Sequence, residues 1–299
     1  MSDNLRGSLF MVLAMLGFAI EDAFFKAATA TGDVSAGVGT MLFGLFGTGF
    51  FVLYALWLKE PLVSRAYVEG PLLVRSAFEI LGRLFFALSL AFAPLSTTSA
   101  ILQAAPLLVT LGAALVLKEK VGPRRWIAMS IGFAGVLLIL RPTPSGFDAT
   151  AIFAVLGMIG FAGRDLMTRA SPPEVSATQL GILGFLMVFI AGVVITLFES
   201  APFAAPNLPA LTLLLGTGFA GLIGYSALTK AMRTGEVSVV APFRYSRLLI
   251  ALVFAYLIFG ERPDALTLIG ATLIVGSGVY TLVRSGRKDR AGSASRSGI

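Results

Sequence analysis

Apolar residues along this chain fall in long, nearly unbroken blocks and do not alternate with polar ones. Ten blocks stand out, at 7–30, 36–58, 71–93, 96–117, 124–141, 149–170, 175–199, 207–232, 237–259 and 265–283. Each is close to the about 20 residues that a helix needs to cross a bilayer core. Helix breakers separate them: Lys59-Glu60-Pro61, Pro94, Gly122-Pro123, Pro142-Thr143-Pro144, Pro172-Pro173, Pro202 and Arg262-Pro263. The predicted fold is therefore all-α and membrane-embedded, with ten transmembrane helices. The first block is not a cleavable signal peptide. It outlasts an ordinary signal core and runs into Glu21 and Asp22 without an Ala-x-Ala site. The Ser/Gly/Arg-rich tail at 286–299 is predicted to be disordered.

Composition supports the pattern. Of 299 residues 57% are hydrophobic and 13% charged, with a mean hydropathy of +0.88; a soluble domain carries about 25% charge. Cys and His are both absent, which removes disulfides, thiolate nucleophiles, His-activated serines and thiolate or imidazole metal ligands. No GxxxxGK[ST] stretch occurs, so energy for transport must come from a gradient or a partner subunit. No cofactor or metal is expected. The net charge of +7 does not point to nucleic acid, because its placement follows membrane topology. Fifteen of the 23 Lys and Arg lie on the side of the N-terminus, three (Lys26, Arg141 and Arg262) on the other, and five within spans. Such a bias places both termini in the cytoplasm.

The chain also repeats itself. Gly17-Phe18-Ala19-x-x-Asp22-x-x-x-Lys26 matches Gly160-Phe161-Ala162-x-x-Asp165-x-x-x-Arg169, and Leu117-Lys118-Glu119-Lys120 matches Phe259-Gly260-Glu261-Arg262. Gly82 pairs with Gly224, Ser96 with Ser238, and Gln103 with Tyr245. The halves are 1–141 and 142–285, five spans each. An odd number of spans forces the second half to insert upside down, giving an inverted repeat suited to alternating access.

These features resemble the drug/metabolite transporter superfamily in its ten-span EamA-type branch, over about residues 8–285. The resemblance rests on the Leu117-Lys118-Glu119 and Phe259-Gly260-Glu261 hairpins and on the Gly-rich spans Gly132-Phe133-Ala134-Gly135-Val136 and Gly270 to Gly276. The segment Pro242-Phe243-Arg244-Tyr245-Ser246-Arg247 is similar to a branch containing exporters and importers of amino-acid-like metabolites. Pro106 departs from the symmetry, since its repeat mate is Leu248. The resemblance implies a multi-pass secondary transporter of the bacterial inner membrane. It also implies a central cavity built mainly from spans 3, 4, 8 and 9 and flanked by 1 and 6.

Charged residues inside spans cost about 2.5–3.5 kcal/mol each on insertion scales and need a partner or a water-filled cavity. Asp22 and Lys26, like Asp165 and Arg169, are spaced to pair on one helical face. Glu21 lacks such a neighbour and is a coupling or gating candidate with Asp22, Glu79 and Asp165. Arg75, Glu79 and Arg83 share one face of span 3. Arg75 can snorkel to the near interface, whereas Arg83 lies about 18 Å deep. Glu79 can satisfy either arginine, as a clamp or as a cavity wall. Arg244 and Arg247 follow Pro242, and either meet substrate or pair with Glu79 or Asp165. Gln103, Tyr225 and Tyr245 complete the substrate-binding candidates. Glu119 and Glu261 are expected to cap helix starts at hairpins.

Five intramembrane basic residues against four acidic ones favour a zwitterionic or anionic small-molecule substrate. The leading expectation is a monomeric transporter, in contact with lipid and exporting amino acids and related metabolites. The alternative within the class is an importer of S-adenosylmethionine, a vitamin or another larger metabolite. From other classes come a membrane-embedded enzyme and a passive channel; no paired catalytic motif supports the enzyme.

Overall fold

The computed structural model describes residues 2–30, 34–92, 98, 101–142, 149–199, 205–259 and 264–296. Among them there is no strand. The helices are α1 (Asp3–Ala30), α2 (Ala36–Leu58), α3 (Gly70–Phe92), α4 (Ala105–Leu115), α5 (Pro123–Leu140), α6 (Ala151–Ala170), α7 (Ala177–Phe198), α8 (Leu208–Arg233), α9 (Val237–Val240), α10 (Ser246–Phe259) and α11 (Ala265–Arg296). Local chemistry sets their starts. Ser35 accepts from the Val38 N–H, Asn207 from the Ala210 N–H, and Ser176 forms a full capping box with Gln179.

Seven described helices are long and apolar enough to cross a membrane, against the ten blocks read from the sequence. The shortfall has physical causes. α3 has the length, but three charged residues, Arg75, Glu79 and Arg83, lie along it. The ninth block is broken by a 3-10 segment, Ala241–Tyr245, between α9 and α10. The fourth lies partly outside the described residues, as does the expected Glu261 hairpin. α11 continues to Arg296, so most of the tail expected to be disordered is helical; a helix nucleated in an apolar run propagates cheaply.

Four antiparallel pairings dominate the packing: α1 on α8, α2 on α7, α3 on α6, and α5 on α11. Glycines set how closely they approach. A Cβ on Gly17 would lie 2.7 Å from Gly224 Cα, and one on Gly160 would lie 2.5 Å from Gly82 Cα. These are the four glycines paired by the sequence repeat, each meeting the mate of its counterpart's partner. A Cβ on Gly135 would lie 2.6 Å from the Gly270 carbonyl, and the reverse distance is the same. Small residues of this kind let helix backbones come together where no hydrophobic effect drives them.

Polar staples fasten both ends of the α2–α7 pair. At the end where α1 begins, called here the near end, the Ser176 hydroxyl donates to Glu60 at 2.5 Å. At the far end the Ser35 hydroxyl donates to Glu199 at 2.6 Å, and the Gly37 N–H donates to the same carboxylate at 2.8 Å. Tyr67 adds to the near-end staple by donating to the Leu62 and Gln179 carbonyls. Burial pushes its phenol up to about 12. Far-end Arg141 holds the Asp264 carboxyl well below the usual range through paired hydrogen bonds of 2.6 Å.

The glycine contacts generate a direct prediction. Gly160→Leu should lower the thermal midpoint of the detergent-purified protein, because overpacking costs about 1–3 kcal/mol or more. Gly49→Leu, at a position with open space around it, should leave it unchanged. Equal midpoints would mean the helices do not need this close approach.

Candidate functional site

α3 carries the first part of the site. Arg75 and Glu79 have no exposed surface, so each must find its partners inside the bundle. Glu79 accepts from Arg164 Nη1 at 2.9 Å and from the Tyr225 hydroxyl at 2.7 Å. Arg164 also donates through Nε to Asp165 at 2.8 Å, and Arg244 pairs with the other Asp165 oxygen. Arg75 donates to Thr168 Oγ1 at 3.0 Å and to the Tyr225 hydroxyl. Tyr225 thus relays between a guanidinium and a carboxylate. The result is a buried lock of three cations and two anions, tying α3, α6, α8 and the broken ninth segment together.

Deeper along α1 and α3 lies a second group of four charges. Glu21 faces Arg83 at 3.8 Å, and Asp22 pairs with Arg247. Glu21 is also within electrostatic reach of Arg247 and of the lock residue Arg164. The Arg83 guanidinium lies over the Phe43 and Phe161 rings, at 5.3 and 5.9 Å from their centres, and Arg247 lies 5.8 Å from that of Phe18. The two pairs differ in access. Glu21 is buried, while the Asp22 and Arg247 side chains are 55% and 39% exposed. Among the described residues, Glu21 Oε2 and Arg83 Nε in this group are buried without a hydrogen-bond partner, as is Arg75 Nη1 in the lock.

The break in the ninth block places two of these arginines. Pro242 brings no N–H and the chain tightens into a 3-10 turn, with Ser246 Oγ donating back to the Phe243 carbonyl at 2.7 Å. Arg244, inside this turn, reaches Asp165 on α6. Arg247, one turn on in α10, reaches Asp22 on α1. The same short segment therefore holds both aspartates that the repeat makes equivalent.

The structure brings together Glu21, Asp22, Glu79, Arg83, Asp165, Tyr225, Arg244 and Arg247. Two other candidates lie elsewhere. Gln103 is half-buried in the turn before α4. Tyr245 is fully buried with Val136 and Ile274, against α5 and α11. Three expected pairings are corrected. Arg75 does not snorkel, since α6, α7 and α8 supply its partners. Glu79 bonds neither arginine of its own helix, because Arg164 and Tyr225 reach it from across the bundle. Asp165 takes Arg164 and Arg244, while Arg169 donates instead to the Met232 carbonyl at 3.4 Å. The Lys26 side chain lies outside the described residues.

Arg164 and Arg75 were not among the candidates. A signal for Arg164 was present, since it is the repeat mate of Glu21 and precedes Asp165. Glu119 does cap a helix start, but that of α9. Its two oxygens accept from the Val237 and Ser238 N–H groups at 2.9 and 3.1 Å. Arg125 secures the same turn through Glu236 and the Ser238 hydroxyl. A cavity of about 620 Å³ opens beside this turn, lined by Asp3, Asn4, Arg169, Arg233 and Glu236 among others. Among the described residues no cluster of acidic groups could hold a metal ion.

A model of the EamA-like transporter family matches residues 5–141 and 149–283. The riboflavin transporter of Rhizobium johnstonii is 28% identical over 294 residues, covering 95% of this chain and 93% of that protein. The S-adenosylmethionine uptake transporter of Rickettsia bellii is 30% identical over 224 residues, covering 73% of each. The pseudopaline exporter CntI of Pseudomonas aeruginosa is 27% identical over 272 residues, covering 90% and 93%. A solved crystal structure superposes with a TM-score of 0.76 at 18% identity, over 91% of this chain and 97% of that one; this likeness is one of fold alone.

The lock predicts an asymmetric response to mutation. Glu79→Ala leaves Asp165 as the lock's one carboxylate against three buried arginines and should cost about 3–5 kcal/mol, read as a fall in the thermal midpoint. The double variant Glu79→Leu with Arg164→Met should recover much of that loss. A Glu79→Ala midpoint equal to that of the native protein would show that the lock contributes nothing to the fold.

Proposed function

The chain belongs to the EamA-like transporter family, and from that premise we propose that it is a secondary transporter exporting amino acids and related small metabolites by alternating access. The carrying observation is the contrast between the two charge groups. The lock near one end leaves no exposed surface on Glu79 or Asp165, while the Asp22 and Arg247 side chains keep 55% and 39% of theirs. Charges tied together at one end and exposed charges further along fit one of the two states that alternating access requires. The reciprocal glycine contacts and the Ser35–Glu199 and Ser176–Glu60 staples support ten spans in two inverted halves. With both termini cytoplasmic, as the Lys/Arg bias favours, the shut end faces the cytoplasm of a bacterial inner membrane.

Glu21 is the coupling carboxylate in this scheme. Glu79 is held by two hydrogen bonds at 2.9 and 2.7 Å, whereas Glu21 keeps an oxygen without a partner. The second reading is import of a larger metabolite. It is favoured by the names of the riboflavin and S-adenosylmethionine relatives.

Purified protein in liposomes should show saturable counterflow of a labelled amino acid. No flux across a broad amino-acid panel, with folded protein, would sink the export reading; counterflow of S-adenosylmethionine or riboflavin alone would favour the second. An imposed pH gradient should change the transport rate in the native protein and not in Glu21→Gln. Rates indifferent to the gradient in both would remove Glu21 from coupling.

A further inference from the structure

We infer that the substrate's recognised head group is a zwitterion, seated between Glu21 and Arg83 with its ammonium on Glu21 Oε2 and its carboxylate on Arg83 Nε. The inference rests on the transporter reading above and narrows it to a substrate class and two contact atoms. Its first support is the state of the pair itself. At 3.8 Å the Glu21–Arg83 contact is longer than a charge-assisted hydrogen bond of about 2.7–2.9 Å. Both lock carboxylates have close partners, and the lock's bare atom is a donor, Arg75 Nη1. Here an acceptor and a donor of one facing pair are both buried without a partner among the described residues. Leaving such atoms bare costs about 1–3 kcal/mol each. A ligand that donates to one and accepts from the other recovers that cost.

Charge balance selects among ligands. Glu21, Asp22, Arg83 and Arg247 sum to zero, two cations against two anions. A bare organic cation satisfies Glu21 and leaves Arg83 facing an added positive charge. A bare anion does the reverse. A zwitterion satisfies both and adds no net charge, which costs least where water is scarce. A neutral imide also presents a donor and an acceptor, but its hydrogen bonds to these charged groups lack the second charge and are weaker.

Geometry limits how the head group can sit. The Phe43 and Phe161 rings lie against Arg83, which leaves the guanidinium edge as the place for a carboxylate. Asp22 follows Glu21 on α1 and pairs with Arg247, and both are exposed. This outer pair offers the same two charges to an arriving zwitterion before it reaches the buried pair. Hence the inner pair discriminates and the outer pair admits.

The test is counterflow into liposomes holding the full chain. The protein amino acids are tried singly, each beside its methyl ester and its decarboxylated amine, with riboflavin as a neutral imide. At least one amino acid should give saturable flux, and its ester and amine should be weaker by about tenfold or more. Glu21→Gln and Arg83→Lys should each raise half-saturation for that amino acid about tenfold, with thermal midpoints confirming folded protein. If one variant does not fold, the other decides. Saturable flux carried equally well by the ester, the amine or riboflavin would overturn the head-group assignment and leave the transporter reading standing. So would unchanged half-saturation in a folded variant. No saturable flux of any probe would overturn the amino-acid export reading, and this inference with it.

Discussion

Glu79 is a carboxylate without exposed surface in the interior of an apolar bundle, and its ionised form persists there only because Arg164 and Tyr225 bond it from two other helices. That requirement organises much else. Arg164 must lie within reach of α3, so α6 packs tightly on α3 through Gly160 and Gly82. Tyr225 must cross from α8, and Arg75 is then bound to the same hydroxyl. Asp165 takes both Arg164 and Arg244 and so ties the broken ninth segment to the lock. Loss of either carboxylate leaves three buried guanidinium groups against a single carboxylate, so the two acids hold the lock together.

A symmetric frame carries unlike chemistry at matched positions. Where the first half has Glu21 and Arg83, the second has Arg164 and Tyr225. The two pairs are close in both halves: Glu21 faces Arg83 at 3.8 Å, and Arg164 lies 5.7 Å from the centre of the Tyr225 ring. The second half's pair is drawn into the lock by Glu79, whose repeat mate is Gly221. The first half's pair has no such third partner and keeps two atoms unbonded. In the alternating-access scheme proposed above, the frame supplies two conformations and the first half's pair is the one left for substrate, while the second half's pair is bonded within the lock.

Much of this was legible in the chain. The apolar blocks predicted the helices, and the repeat picked out the glycines at both crossings. Eight of the ten named site residues do converge, because charges in apolar blocks have few places to go. What one chain could not display was the partner. Spacing arithmetic sees neighbours at i+4, whereas Glu79 is bonded by residues 85 and 146 positions away. The same blindness sent Arg75 towards the interface, since α6, α7 and α8 cover it only once the bundle forms. Tyr245 was misplaced for a different reason. Its repeat mate and its neighbours Arg244 and Arg247 suggested a shared face, but the 3-10 turn rotates it towards α5 and α11.

The chain has no cysteine of its own, so one introduced thiol reports alone. Ser76, adjacent to Arg75 and buried with an unpartnered hydroxyl, lies beside the lock. Ser76→Cys should react slowly with a membrane-impermeant maleimide in the native background. It should react about tenfold faster or more when Arg164→Met removes the guanidinium that joins Glu79 to Asp165, since about 1.4 kcal/mol shifts an open population tenfold. Equal rates in the two folded proteins would contradict the claim that this buried charge network holds the near end shut.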